Sequence, residues 1–77
     1  MTERRPERLI YMANQIARFF ASQPEGAAGA AAHLKSFWDP SMRAEIGAWR
    51  AAGGEGLHPL AVEAIDLLRP ETERGSP

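Results

Sequence analysis

Three breaks decide what this chain can become: Gln23-Pro24-Glu25-Gly26, Asp39-Pro40 and Ala52-Gly53-Gly54-Glu55-Gly56. Each proline removes a backbone donor and biases the residue before it away from helix, and each glycine gives up extra backbone freedom when it is ordered. No regular element runs cheaply through any of them. Between the breaks the apolar residues recur at the three-and-four spacing of one helix face, and nowhere do they alternate with the period of two that marks a half-buried strand. The sequence therefore predicts an all-α fold, a compact array of about four short helices with disordered termini. It divides into a single helical domain over residues 6–69 and a disordered C-terminal tail over residues 70–77.

The first helix is predicted from about Pro6 to Ser22, with Leu9, Ala13, Ile16 and Phe20 on its apolar side and Ile10, Met12, Ala17 and Phe19 widening the stripe. Tyr11, Asn14, Gln15 and Arg18 fall on the opposite face. The second begins near Ala27, where an alanine-rich run favours helix intrinsically; Ala30, Leu34 and Phe37 or Trp38 mark its buried side, and Gly29 weakens its first turn. Asp39 is placed to cap the amides of the third helix and Pro40 fits its first position, which makes the corner tight. That helix runs to about Ala52, burying Met42, Ile46 and Trp49 and leaving Arg43, Glu45 and Arg50 in water, while Gly47 implies either tolerance or a close helix contact. After the glycine loop, Pro59 opens a fourth helix with Leu57 placed to staple on Val62. Its apolar positions are Leu60 or Ala61, Ala64, Ile65 and Leu68, and Arg69-Pro70 ends it near Leu68.

A chain of 77 residues without cysteine has no disulfide to reinforce a small core, so its stability is expected to depend on a partner. The charged stretch Met1–Pro6 is not a secretory signal, and no apolar run reaches the length of a membrane span, so a cytoplasmic address is expected. Nine basic and ten acidic residues leave a net charge of −1, with no electrostatic excess to draw nucleic acid or acidic lipid.

Catalysis needs a nucleophile beside a base, a metal, or carboxylates in separated environments, and no motif here supplies them. His33 and His58 lie on different predicted elements with no metal-ligand spacing around them. The glycine run lacks the preceding strand and following motif of a phosphate loop and reads as a helix stop. A helix-turn-helix reading meets an abrupt corner at Asp39-Pro40 and scattered basic residues. Phe19, Phe20, Phe37, Trp38 and Trp49 are a heavy aromatic load; most supply core, and one left outside would anchor a partner, with Trp38 the first candidate.

Three segments carry a family resemblance: Met12-Ala13-Asn14-Gln15-Ile16-Ala17-Arg18-Phe19-Phe20, His33-Leu34-Lys35-Ser36-Phe37-Trp38-Asp39-Pro40-Ser41-Met42-Arg43 and Ala52-Gly53-Gly54-Glu55-Gly56-Leu57-His58-Pro59-Leu60. Together they resemble the delta subunit of the molybdenum- or tungsten-dependent, NAD-linked formate dehydrogenases. Tyr11 and Ser41 depart from positions that are often basic in that family. The resemblance implies a non-catalytic accessory subunit that supports assembly, stability or cofactor loading of the catalytic (alpha) subunit. No cofactor is implied for this chain; the bis-molybdopterin guanine dinucleotide, iron–sulfur clusters and FMN of such a complex would sit on other subunits.

Several residues suit that role. Asn14 and Gln15 lie off the predicted core stripe, and their amides both donate and accept hydrogen bonds. Arg43, just past the corner, can pair bidentately with a carboxylate or a cofactor phosphate. The expected partner-binding residues are thus Tyr11, Asn14, Gln15, Arg18, Trp38 and Arg43, and no catalytic, cofactor or metal residue is expected. Two other readings stand beside this one: a transient assembly factor that binds the pterin cofactor or its delivery protein through the glycine loop and His58, and a small helical DNA-binding regulator. Self-association of the isolated chain through the same aromatics is a further expectation.

Overall fold

The computed structural model describes the backbone of residues 5–74 and the side chains of residues 5–68. Four helices follow one another, α1 (Glu7–Ala21), α2 (Gly26–Phe37), α3 (Pro40–Ala51) and α4 (Pro59–Arg74), and no strand lies among the described residues. Every other helix packs on α4, α2 most extensively; α1 also meets α2 and, over a smaller area, α3.

The core explains how so short a chain closes. Among the described residues, six of the twelve buried apolar ones are alanines, Ala13, Ala17, Ala30, Ala31, Ala61 and Ala64, and such small side chains let helix axes approach closely. They also bury little area each. The large residues Leu34, Ile46 and Ile65 are fully enclosed, and burial of each contributes about 1.5–3 kcal/mol. Gly29 serves the same close approach: a Cβ there would lie 2.7 Å from both the Phe20 ring and the Glu25 Cβ, so α1 and α2 meet only because the side chain is absent. At Gly47 a Cβ would meet nothing within 4 Å, which settles the earlier choice for tolerance.

The turns follow local chemistry. Asp39 caps α3 as its side chain accepts from the Met42 amide at 3.0 Å and from the Ser41 hydroxyl at 2.8 Å, with Pro40 at the first helical position. The α3 terminus closes with the Gly54 amide on the Trp49 carbonyl at 2.8 Å and the Gly53 amide on the Arg50 carbonyl at 3.1 Å, the paired bonds of a Schellman stop. Gly53, at φ +132°, and Gly54, at φ +65°, both hold backbone conformations that a side chain would strain.

Three expectations need correction. Trp38, taken as the exposed anchor, is 5% exposed, while Phe37 is 74% exposed. Trp38 follows Leu34 by four residues and Ala30 by eight, on the buried side of α2, and stays inside although the backbone leaves the helix there at φ −92° and ψ 140°, while Phe37, the last helical residue, faces outward beside His33. Arg50, expected in water, joins α3 to α4 by donating from Nε and Nη2 to the two carboxylate oxygens of Asp66, each at 3.0 Å. The fourth helix does not end near Leu68; it runs through Pro70 to Arg74. A proline inside a helix forfeits one amide bond at about 3 kcal/mol, and α4 carries that local cost instead of stopping ahead of it. The tail expected from Pro70 thus begins as helix, and residues 75–77, like the charged start at 1–4, lie outside the described residues.

Candidate partner-binding surface

Four-residue spacing puts Tyr11, Gln15 and Phe19 in one row along α1, turned away from α4. Tyr11 is 64% and Phe19 60% exposed. Gln15 Nε2 donates to the Tyr11 hydroxyl at 2.7 Å, which fixes the polar rim of the row. Facing it, α2 presents His33 and Phe37, also four residues apart, with ring centroids 4.6 Å from each other. Phe20 wedges between the two helices, edge-on to Phe19 at 4.9 Å and tilted against His33 at 6.2 Å.

Between these rows runs an open groove of about 500 Å³, floored by Met12, Ile16, Trp38 and Met42. It continues past Phe19 and Phe20 into a second hollow of about 280 Å³ that shares Gln15, Ile16 and His33 with the first. The walls are apolar and the large rings at the edge are open to water, a combination that a monomer of this size gains nothing by keeping.

The opposite side of α1 behaves differently. Asn14, one residue before Gln15, faces the glycine loop: its Oδ1 accepts from the His58 amide at 2.7 Å and its Nδ2 donates to the Gly56 carbonyl at 2.9 Å. Trp49 Nε1 donates to the Glu55 carbonyl at 2.8 Å, and the Arg5 guanidinium lies over the Trp49 ring, 5.7 Å from its centroid. The Leu57 amide reaches back to Gly54 at 3.0 Å with Gly56 at φ +87°, so the turn requires glycine there. His58 accepts from the Leu60 amide through Nδ1 at 3.0 Å and so caps α4. The amides of Gly53, Gly54, Leu57 and His58 are thereby all engaged within the chain.

The two arginines near the corners are likewise tied inward. Arg43 Nε donates to the Trp38 carbonyl at 3.3 Å, satisfying a carbonyl at the end of α2. The Asp66 carboxylate, hydrogen-bonded to Arg50 and opposite in charge, pushes that guanidinium's pKa up.

Residues 8–65 match the family described as NADH-dependent formate dehydrogenase delta subunit FdsD. The chain belongs to that family. The matched span takes in α1, α2, α3, the glycine loop and the first half of α4, so the delta-subunit match covers both the groove and the knot around Asn14. Comparison with curated proteins and with solved structures returned no match.

For this delta-subunit chain the structure divides the sequence-predicted residues in two. Tyr11, Gln15 and Arg18 lie exposed on α1, the first two at the groove. Asn14 faces the glycine loop, Trp38 forms part of the groove floor, and Arg43 closes α2. Phe19, Phe37 and His33 were missed as site residues; the repeated four-residue spacing of Tyr11, Gln15 and Phe19 was the signal available for the first of them. Among the described residues no group of three or more His, Asp or Glu could hold a metal ion, and no helix is long and apolar enough to cross a membrane.

Proposed function

We propose that this delta subunit is a non-catalytic accessory component that docks on the catalytic (alpha) subunit of formate dehydrogenase in the cytoplasm and supports its assembly, stability or cofactor loading. The observation that carries the reading is the α1–α2 groove with Tyr11, Phe19 and Phe37 open at its edge. Aromatic side chains of this kind dominate binding energy when a partner covers them, and covering them would add the apolar burial that an alanine-lined core supplies sparingly.

The redox groups of such a complex, a bis-molybdopterin guanine dinucleotide, iron–sulfur clusters and FMN, belong in this proposal to other subunits. The 77 residues contain no cysteine, so they offer no thiolate for an iron–sulfur cluster. The glycine loop has four of its amides engaged internally, which argues against a phosphate cradle for a pterin dinucleotide.

The test is reconstitution of the complex with and without this chain. Without it, the catalytic subunit is expected to be recovered in lower yield or with substoichiometric metal and pterin, and formate-dependent NAD reduction should fall in proportion. Assembly with full cofactor content and activity in its absence would refute the proposal. Binding of the pterin cofactor to the isolated chain would shift the reading to a cofactor-carrying assembly factor.

A further inference from the structure

The groove between α1 and α2 carries a second message in the charges around it. Across α1, α2 and the turn between them the charged side chains are Arg8, Arg18 and Lys35 against Glu25 and Glu7, and Glu7 is paired with Arg5 at 2.8 Å. From Asp39 to Leu68 the balance reverses: five carboxylates stand against Arg43 and Arg50. Of those, Arg50 is already paired with Asp66. The half of the molecule that holds the groove is therefore cationic, and the half behind it is anionic. Arg8 and Arg18 are both exposed and frame the row Tyr11, Gln15, Phe19 on α1.

The shape of the groove restricts its occupant further. Its walls are two helices whose backbone donors are engaged within the helices, so it offers no sheet edge for an extended peptide. What it offers is a pair of side-chain rows with a hollow between them, the arrangement into which the ridge of a third helix fits. The row from Tyr11 to Phe19 spans about 12 Å, enough for roughly two turns of such a helix and about three anchoring side chains.

We infer that the groove receives an amphipathic helix of another formate dehydrogenase subunit, with aliphatic anchors at i, i+3 or i+4 and i+7 flanked by aspartate and glutamate that face Arg8 and Arg18. A second copy of this chain is the poorer occupant, since the same face on two copies would set cation against cation. The inference rests on the accessory-subunit reading and names the chemistry of what that subunit grips. Because the flanking charges lie at a solvated rim, they act on association rate and on choice of partner more than on residence time.

Photo-crosslinking in the reconstituted complex tests it. A benzophenone amino acid is placed at Phe19, at Phe37 and, as a control on α4, at Leu67, which is 52% exposed. After irradiation, mass spectrometry identifies the attached peptide. Crosslinks from positions 19 and 37, absent from 67, to an acid-rich helical segment of another subunit are the expected result. Crosslinks to a second copy of this chain, to a segment without acidic residues, or none at all while the chain still co-elutes with the complex would overturn the inference and leave the accessory-subunit proposal standing. Failure of the unsubstituted chain to co-elute would overturn both. In the same system Arg8→Glu with Arg18→Glu is expected to slow association about tenfold at low salt, and Glu63→Lys, at an exposed position of α4, to leave it unchanged or faster. An equal slowing by both would remove the charge argument.

Discussion

Asn14 and Gln15 are neighbours on α1, carry the same amide chemistry and serve opposite halves of the molecule. Asn14 binds the Gly56–His58 backbone and helps lock α1 to the α3–α4 half. Gln15 donates to the Tyr11 hydroxyl on its own helix and lies at the lip of the groove. The difference extends to the halves themselves. Around the glycine loop, side-chain polar groups are paired: Trp49 with Glu55, Arg50 with Asp66, Asn14 with the loop, His58 with its own helix. Along the α1–α2 face, three large rings are mostly exposed. One half is tied by intramolecular contacts; the other is the face on which the proposed partner would dock.

The sharpest way to break this comparison is to spoil the open face and ask whether the fold notices. Phe19→Glu combined with Phe37→Glu should abolish co-elution with formate dehydrogenase, a weakening of 100-fold or more, on the order of 3 kcal/mol or above. Because both rings are exposed, the melting temperature of the isolated chain should move by no more than about 2 °C. Size-exclusion chromatography and circular dichroism read the two outcomes separately. A variant that unfolds would mean that the rings belong to the core and not to an interface.

The neighbouring amides give the next largest contrast. Asn14→Ala leaves the His58 amide and the Gly56 carbonyl without their partner, at a cost of about 2 kcal/mol, which in a domain this small lowers the melting temperature by about 10 °C. Gln15→Ala loses one exposed side-chain contact and should stay within about 0.5 kcal/mol of the parent. Thermal unfolding of the two single variants side by side decides it. Equal losses would show that Asn14 is not the tie between the halves.

What could be read beforehand follows from how local each cause is. The Asp39-Pro40 corner, the glycine stop and the four helices all arise from residues within one turn of each other, and the sequence carries their signals directly. The role of Asn14 could not be seen, because its partners lie 42 and 44 residues away and an asparagine on a helix face has no pattern of its own. Spacing alone left Phe37 and Trp38 as alternatives, since they follow Leu34 by three and four residues and both are helical steps toward one face; the structure buries Trp38 and exposes Phe37. The alanines are legible because helical spacing alone places them: Ala17 and Ala64, both on predicted apolar stripes, are completely buried because the helices come so close.

That closeness is measurable at Gly29 and Gly47. Gly29→Ala gains helix propensity but forces Phe20 or the Glu25 turn to move, and the crowding should win by about 1 kcal/mol net. Gly47→Ala meets open space and should stabilise the chain by up to about 1 kcal/mol. Chemical denaturation reads both signs. Because Phe20 lies under the groove, Gly29→Ala should also weaken docking, and Gly47→Ala should leave it alone.

The smallest effect concerns the corner that joins the two halves. The Met42 amide, then the Ser41 hydroxyl, and to a lesser extent the Arg43 charge hold the Asp39 carboxyl below the usual carboxylate range. A depressed folded-state pKa stabilises the fold above the unfolded value of about 4, and that contribution disappears as the pH falls through the lower folded value. The carboxyl carbon of Asp39 should therefore titrate below the ordinary aspartate value by NMR, and Ser41→Ala should bring it part of the way back. Asp39→Asn, which still accepts a hydrogen bond but does not titrate, should flatten this part of the acid response while keeping the helix start. The Trp38 ring, immediately before the cap, floors the groove, so loosening of the corner in acid should be seen first in tryptophan fluorescence. If Asp39 titrates at the ordinary value, Pro40 alone sets the corner, and the groove floor is held by packing and not by the cap.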